Sequence, residues 1–360
     1  MMQLRAKSRE GGIALIMVMI VIAVLTIIVG AFAYSMRVET ILARNAENEP
    51  EFDWLGRSGV ELARYLVGQQ LAIGMEPYES LNQKWAGGPG NSNNFLAAIS
   101  LANNTVGRGK FSIKIEDQER KFNINMADEM ILKQACILVG VGPTETSTIV
   151  DSILDWRDPD EATHLSGAES EYYLNLMPPY RCKNGPLDDI SELLLIRGIV
   201  PEMCGMKGVG GPVVAQPKTG GTRLGLIQAQ QAEAYTNSFM NLFSVASMGL
   251  INLNTASAEV LRLVAGVDEN IAEAILKRRR GVDGADGTED DVPFRNVGEL
   301  QGIPGISLQG AQQAARYFGV RSATFEVTVT AEMDGLKRTM VALLRRNAPN
   351  DVRVLVCRWK

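Results

Sequence analysis

Two loops of this 360-residue chain concentrate carboxylate side chains among glycines and small polar residues. Calcium accepts about six to eight oxygen ligands and tolerates irregular geometry, so each loop is a candidate calcium site. Neither loop has the regular spacing of an EF-hand, and a solvated acidic loop without a cation is the alternative interpretation. The candidate ligands are Asp155, Asp158, Asp160, Glu161, Glu169 and Glu171 in the first loop, and Asp283, Asp286, Glu289, Asp290 and Asp291 in the second.

Cysteine and histidine usage does not indicate a transition-metal site. The four cysteines have no close-paired spacing, and His164 is the only histidine, whereas zinc and iron sites need clusters of such ligands. Cys182 and Cys204 flank one acidic and apolar segment, so an oxidising compartment would make them the favoured disulfide pair. No serine or cysteine lies in a recognisable nucleophile context, and the sequence therefore predicts a protein that is not an enzyme.

The charge distribution argues against a nucleic-acid partner. The formal net charge is -5, and residues 122–202 alone contain 5 basic and 14 acidic residues. Nucleic-acid phosphates require clustered lysine and arginine, and the only such patch here, from Lys277 to Arg280, is interpreted as a solvated helix end. The net negative charge favours divalent cations as binding partners instead.

An uncharged stretch of 22 residues runs from Ile13 to Tyr34. As a helix it would be about 33 Å long, enough to cross a hydrocarbon core of about 30 Å. The short segment before it carries Arg5, Lys7 and Arg9, which predicts that the leader stays cytoplasmic and the rest of the chain is exported. The sequence thus predicts a single membrane-spanning helix.

The position of the small residues distinguishes this N-terminus from an ordinary secretory signal, because Gly11 and Gly12 precede the apolar run. This order resembles the prepilin leader of the type IV pilin superfamily, which implies peptidase cleavage between Gly12 and Ile13. An uncut single-span anchor is the alternative. Most members of that superfamily have glutamate at the fifth mature position, where this chain has Met17. In that superfamily the glutamate pairs with the amino-terminal charge of the neighbouring subunit nearer the tip. Its absence here therefore indicates a subunit with no neighbour above it, at the tip position.

Strand patterns lie on both sides of a long helical and loop region. The run KFSIKIEDQERKFNIN alternates around Asp117 and Gln118 and predicts a hairpin, and Pro50 predicts a bend or break in the preceding helix. Near the other end, TFEVTVTAEMDGLKRTMVALL alternates around Asp334 and Gly335, and DVRVLVCRW supplies a further strand. The predicted fold is α+β: a transmembrane pilin-type helix packed on a small antiparallel sheet, with a large inserted domain that is mainly helical.

The predicted divisions follow from these patterns. They are a prepilin leader at 1–12, the transmembrane and amphipathic helix at 13–73, the first part of a pilin-like domain at 74–124, the helical insert at 125–322 and the last strands at 323–360. Inside the insert, NINMADEMIL with SILDWR is echoed by NLNTASAEVL with AILKRR, which predicts two helix-hairpin-helix-like units near 122–202 and 251–307. A flexible linker near 205–236 would join them.

The family resemblance rests on three features: the leader without glutamate, the segment DWRDPDEATHLSGAESEYYLNLMPPYRCKNGPLDDISELLLIRGI, and INLNTASAEVL. Together they resemble the K-type minor pseudopilin family of bacterial type II secretion. The resemblance implies a structural subunit at the pseudopilus tip that initiates assembly for export of folded proteins. It also implies calcium binding.

The same resemblance implies a set of partners and a location. The partners are the I- and J-type minor pseudopilins, the major pseudopilin below the tip, the prepilin peptidase and the inner membrane, with the C-terminal domain in the periplasm. The second unit also resembles the helix-hairpin-helix module of competence-type DNA receptors. A type IV pilus or competence-associated minor pilin that binds DNA is therefore the alternative, although Asp268 and Glu269 would repel a phosphate at the second hairpin.

Overall fold

A computed structural model describes residues 11–90, 95–206, 235 and 237–360, apart from the side chains of residues 11–13, 44, 45 and 47. Most of the predicted leader and most of the predicted linker lie outside the described residues. Helix α1 (Gly11–Ala72) continues through Pro50, so the predicted break at this residue is wrong. Among the described residues, α1 is the one helix that is long and apolar enough to cross a membrane.

The second half of α1 packs on a five-stranded antiparallel sheet. Its buried face contains Phe52, Leu55, Val60, Ala63, Leu66 and Val67. Close approach to the sheet requires a residue without a side chain at Gly59, since a Cβ there would overlap the side chain of Val329. The strands are β1 (Asn104–Val106), β2 (Gly109–Asp117), β7 (Thr324–Met333), β8 (Leu336–Ala348) and β9 (Asp351–Trp359), in the spatial order β1-β2-β7-β8-β9.

The hairpin predicted at Asp334 and Gly335 is confirmed: both residues have positive φ, at 51° and 79°, and they join β7 to β8. The hairpin predicted around Asp117 and Gln118 is wrong. Strand β2 instead pairs with β7, with Ile113 opposite Val329. After Asp117 the chain leaves the sheet, and the strand that completes the pair arrives only after the whole insert.

The insert is mainly helical. Its α-helices are α2 (Glu129–Val139), α3 (Pro143–Arg157), α4 (Ser170–Leu174), α5 (Phe239–Leu242), α6 (Ala258–Leu261), α7 (Glu269–Arg279) and α8 (Leu308–Ala314). Its 3₁₀ helices are Ile124–Met126, Ile190–Leu195, Pro201–Cys204 and Val297–Gly302, and two more, Lys84–Ala86 and Phe95–Ala98, precede the sheet. Two short parallel pairs join β3 (Phe122–Asn123) to β4 (Phe243–Ser244) and β5 (Ile251–Asn252) to β6 (Phe318–Gly319).

The buried apolar side chains of the described residues form two separate hydrophobic cores. One contains buried side chains from Phe122 to Val320 and holds the insert together. The other lies between α1 and the sheet and contains buried side chains from Phe52 to Leu96, Phe111 to Ile115 and Phe325 to Val352. The helical part and the pilin-like part therefore each bury their own apolar surface.

The insert contains two units built in the same way. In the first, the amide of Asn125 brackets Leu187 by donating to its carbonyl at 2.9 Å and accepting from its N–H at 2.8 Å. In the second, Asn254 brackets Phe294 with the same two bonds, at 3.0 and 2.7 Å. Buried backbone groups need such partners, so each asparagine fixes the segment that returns after its helical hairpin. The prediction of two similar helical units in the insert is confirmed.

Candidate metal centre and the N-terminal helix

The first acidic loop follows the end of α3. Asp155 lies on the last turn of that helix and is fully buried, and Asp158 follows as its C-cap. Side-chain ligand atoms of Asp155, Asp158 and His164 lie within 4.8 Å of one another, and so do those of Asp158, Asp160 and Glu169. Asp158 belongs to both groups, so the five side chains surround one region of the insert.

Several oxygen atoms in this region lack hydrogen-bond donors. Oδ2 of Asp155, Oδ1 of Asp158 and both carboxylate oxygens of Glu169 are buried, and no N–H or O–H group of a described residue donates to them. The thiol of Cys182, a weak donor, lies beside Glu169. Buried carboxylates without partners are costly. A divalent cation would satisfy them, so the donor set fits calcium.

The electrostatics of the carboxylates agree with this reading. Burial, followed by the negative charges of Asp155 and Asp158, raises the pKa of Glu169 to about 7. Burial and the neighbouring Asp160 also raise the pKa of Asp158. These carboxyl groups repel one another in the absence of a positive charge, and a bound cation would relieve that repulsion.

His164 is the member of the group that the sequence did not reveal. Its ring Nδ1 contacts Oδ1 of Asp155, and its backbone N–H donates to the same oxygen at 3.1 Å. The hydrogen bond with Asp155 raises the pKa of His164. The available signal was proximity in the chain, because the histidine lies in the same loop nine residues after the aspartate.

Two of the predicted ligands are not brought into either group. Glu161 accepts hydrogen bonds from the backbone N–H and the hydroxyl of Ser170, at 3.3 and 2.9 Å, and Glu171 is exposed on α4. Gly167 makes room for the loop, because a Cβ at this position would overlap the carboxylate of Asp155. Of the six ligands predicted in the first loop, the structure thus brings together Asp155, Asp158, Asp160 and Glu169.

Carboxylates of the second loop are already satisfied. Burial opposes ionisation of Asp286, but hydrogen bonds and charge from Arg279 and Arg280 outweigh it and lower its pKa. Oδ2 of Asp290 accepts from the N–H groups of Val282 and Asp283, at 2.6 and 3.0 Å. Asp291 accepts from the N–H of Gly287 at 2.8 Å, while Asp283 and Glu289 are exposed. Internal donors therefore occupy the positions that a cation would take.

The predicted disulfide between Cys182 and Cys204 is absent from the structure, where both residues are free and buried. The thiol of Cys182 donates to the carbonyl of Asp155 at 3.6 Å, while Cys204 ends a 3₁₀ helix. Burial raises the pKa of each thiol to about 12. Flanking the same segment in sequence did not bring the two side chains into a bond.

The N-terminal residues of interest lie at the start of α1. Gly12 and Ile13 fall in its first turn, although their side chains are outside the described residues. Met17 is 62% exposed, and its apolar neighbours along this part of the helix are exposed as well. An exposed apolar helix of this length matches a lipid environment and makes α1 a candidate single-pass membrane anchor.

The two helical hairpins turn at glycines with positive φ, Gly140 at 97° and Gly266 at 88°. In phosphate-binding hairpins of this kind the backbone N–H groups face an anion. Here the carboxylate of Asp268 accepts from the N–H of Ile271 at 2.8 Å and caps α7, and Glu145 lies in the first turn of α3. At the second hairpin an acidic side chain thus takes the N-terminal position that a phosphate would use, and at the first hairpin an acidic residue adds negative charge to the same turn.

Comparison with known proteins agrees with this architecture. Residues 103–205 match the family described as type II secretion system (T2SS), protein K, and residues 247–319 match the helix-hairpin-helix motif. Type II secretion system protein K of Pseudomonas aeruginosa is 22% identical over 360 residues, covering 96% of this chain and 92% of that protein. The protein of the same name from Klebsiella pneumoniae is 27% identical over 205 residues, or 53% of this chain and 59% of that one.

A solved structure shares the fold. A chain in the crystal structure of the GspK-GspI-GspJ complex from the enterotoxigenic Escherichia coli type 2 secretion system superposes with a TM-score of 0.61 at 17% identity. The superposition covers 88% of this chain and 99% of that one.

An apolar N-terminal helix, an antiparallel sheet and an inserted pair of helical hairpins, together with the protein K relatives, support a minor pseudopilin of the type II secretion system. Its relatives are structural subunits of a secretion machine and not a family of enzymes. The chain is similar to the type II secretion system protein K family.

Proposed function

We propose that this minor pseudopilin occupies the tip of the pseudopilus and initiates its assembly. The observation that carries the proposal is Met17, which stands where most pilins have a glutamate and which α1 exposes. A carboxylate inside a membrane costs about 2.5–3.5 kcal/mol unless a partner charge repays it. A subunit with no neighbour above gains nothing from such a charge. Its own amino terminus can still pair with the glutamate of the subunit below.

The size of the insert supports the same position. The insert and its core extend from Phe122 to Val320, beside a sheet that already packs on α1. A shaft requires each α1 to be surrounded by copies of other subunits, and a body this large hinders such packing. At the tip the insert has free space on one side.

The partners in this proposal are the I- and J-type minor pseudopilins, with the major pseudopilin below them. Support comes from the structural relative, which was crystallised as a GspK-GspI-GspJ complex. The exposed apolar part of α1 would contact these subunits and anchor the chain in the inner membrane. The basic leader favours an orientation in which the sheet and the insert lie in the periplasm, after the prepilin peptidase has removed residues 1–12.

A label, a deletion and a substitution test the tip position. A label on the insert should mark one end of each pseudopilus, and deletion of the gene should lower both pseudopilus number and secretion far more than the copy number suggests. Met17→Glu should leave assembly unchanged or weaken it, because no partner amine lies above. Met19→Glu, at another exposed position of α1, is the matched control for inserting a charge. Labels spread evenly along the shaft, or normal secretion without the protein, would contradict the proposal.

Calcium binding at the first acidic loop is part of the proposed function. The ligands would be Asp155, Asp158, Asp160 and Glu169, whose unpartnered oxygens support the assignment. The second loop is excluded from the proposal because Arg279 and Arg280 already neutralise Asp286. The cation would tie the end of α3 to the start of α4 and so rigidify this face of the insert.

Thermal unfolding of the detergent-solubilised chain tests calcium binding. Binding to the folded state alone adds about 2.7 kcal/mol of stability at a hundredfold excess over Kd. We therefore expect the melting temperature of chelator-treated protein to rise when millimolar calcium is added. Asp158→Asn and Glu169→Gln should abolish the rise, while the second-loop control Asp290→Asn should keep it. A rise that survives in the first two variants would place the cation elsewhere.

A further inference from the structure

The junction between the sheet and the insert contains three buried carboxylates. Asp117 ends β2, Glu119 follows it where the chain enters the insert, and Glu79 comes from the segment after α1. The exposed fractions of the three residues are 2%, 2% and 1%. Carboxylates are rarely buried to this extent unless each has a paired charge or a proton.

Asp117 collects donors from both parts of the molecule. Its Oδ2 accepts from the hydroxyls of Thr255 and Ser322, at 2.5 and 2.7 Å, and from the amide of Asn252 at 3.1 Å. Its Oδ1 accepts from the N–H of Glu119 at 2.8 Å. Thr255 and Asn252 belong to the second helical unit, so this one carboxylate connects the sheet to the insert.

Glu119 connects the same parts through backbone groups. Its Oε1 accepts from the N–H of Met248 at 3.2 Å, and its Oε2 accepts from the N–H groups of Ala323 and Thr324, at 3.3 and 3.1 Å. Met248 precedes β5 in the insert, whereas Thr324 begins β7 in the sheet. Its carboxyl group therefore spans the point where the chain returns from the insert to the sheet.

The cations at this junction are engaged elsewhere. Arg346, 2% exposed by side chain, pairs with Glu79, and the half-exposed Arg321 lies 3.4 Å from the same carboxylate. Lys121 donates to the carbonyl of Met240 at 2.8 Å, and burial lowers its pKa. Among the described residues, none forms an ion pair with Asp117 or Glu119. The charged groups near the pair are Glu79, Arg120, Lys121, Arg321, Arg345 and Arg346.

We propose that Asp117 and Glu119 hold one proton between them and that this proton clamps the insert onto the sheet. Two adjacent buried carboxylates without a cation cannot both ionise cheaply, and the pepsin-type carboxylate dyad obeys the same rule. Removal of the proton places two negative charges at the point that joins the two cores. The expected consequence is a looser junction at alkaline pH.

The direction of the pH dependence follows from Glu119. Burial, followed by the charge of Asp117 and a hydrogen bond with it, raises the pKa of Glu119 to about 8. Between the ordinary pKa of a glutamate, about 4.3, and this value the folded state binds more protons than the unfolded state. The stability supplied by the proton is complete below the lower value and is lost as pH rises through the higher one.

Infrared difference spectroscopy of the detergent-solubilised full chain carrying Glu169→Gln tests the proton directly, because Glu169, whose pKa is raised to about 7, would otherwise contribute a carboxyl band of its own at neutral pH. We expect the carbonyl band of a protonated carboxyl group at neutral pH, its loss as pH passes about 8, and its absence in both Asp117→Asn and Glu119→Gln. The control Glu116→Gln, on the neighbouring strand position, should retain the band. No such band in the Glu169→Gln chain, or a band that survives when either junction substitution is added to that chain, would overturn the proposal.

A second readout follows the clamp itself. Limited proteolysis of the native chain at the junction should accelerate as pH rises from about 7 to about 9, beyond the change in the protease's own rate on an unfolded substrate. Equal acceleration in the native chain and on the unfolded substrate would also overturn the proposal. If a junction variant fails to fold, the Glu169→Gln chain suffices for the infrared readout and the native chain for proteolysis.

Discussion

Arg157 and Arg279 make equivalent hydrogen bonds in the two units of the insert. Arg157, at the end of α3, donates to the carbonyls of Ile124 and Ala127. Arg279, at the end of α7, donates to the carbonyls of Leu253 and Ala256, at 2.9 and 2.6 Å. Each arginine thus ties the second helix of its hairpin to the segment that precedes the first helix.

Removal of either arginine should destabilise the insert. Hydrogen bonds from a charged group contribute about 1.5–3 kcal/mol, and the carbonyls left behind are buried. We expect Arg157→Met to lower the free energy of unfolding by this amount. Arg279→Met should cost more, because Asp286 also loses a partner. Chemical denaturation measures both, and the exposed Arg181→Met is the control, expected to change stability by less than about 0.5 kcal/mol.

Gly167→Ala should weaken calcium binding. The added methyl group would overlap the carboxylate of Asp155 and displace it from the cluster. Overpacking of this kind costs about 1–3 kcal/mol, so we expect lower stability together with a smaller calcium-dependent rise in melting temperature. Gly185→Ala is the matched control, since the nearest atom to its new Cβ would be the Lys183 oxygen at 3.8 Å. An unchanged calcium response in Gly167→Ala would contradict the proposed ligand set.

The four cysteines should differ sharply in reactivity towards a thiol reagent. Cys357 is exposed on β9, whereas Cys136, Cys182 and Cys204 are buried and have pKa values raised to about 12 by burial. Since the thiolate is the reactive form, we expect one modified residue in the native protein and all four after unfolding. Mass spectrometry of peptides identifies the modified sites. If Cys182 and Cys204 stayed unmodified in the unfolded, unreduced chain, this result would instead indicate a disulfide between them.

The mature chain should begin at Ile13. The prediction follows from Gly12 before the apolar run, the residue that a prepilin peptidase is expected to require before its cut. Mass spectrometry of the protein extracted from membranes measures the first residue. Gly12→Val should leave the leader attached, whereas Ala14→Val, two residues beyond the cut, should still be processed. Any other first residue in the native protein would remove the basis for numbering Met17 as the fifth position.

Local sequence determined the elements whose stability is mainly local. The 22 uncharged residues from Ile13 to Tyr34 predict the membrane helix directly, because lipid requires a continuous, predominantly apolar helix. The turn at Asp334 and Gly335 was equally legible, since both residues tolerate positive φ and alternating strands flank them. The duplicated hairpins were visible because corresponding residues recur in order along the chain.

Tertiary structure decided the contacts that join distant segments. Pairing of β2 with β7 places Asp117 opposite Phe325, a partner that no neighbouring pattern indicates. The cluster around Asp158 likewise includes His164 and leaves out Glu171, although both lie in the same acidic segment. Membership depends on how α3, the loop and α4 pack against one another, because only packing sets the direction of each side chain and removes it from water.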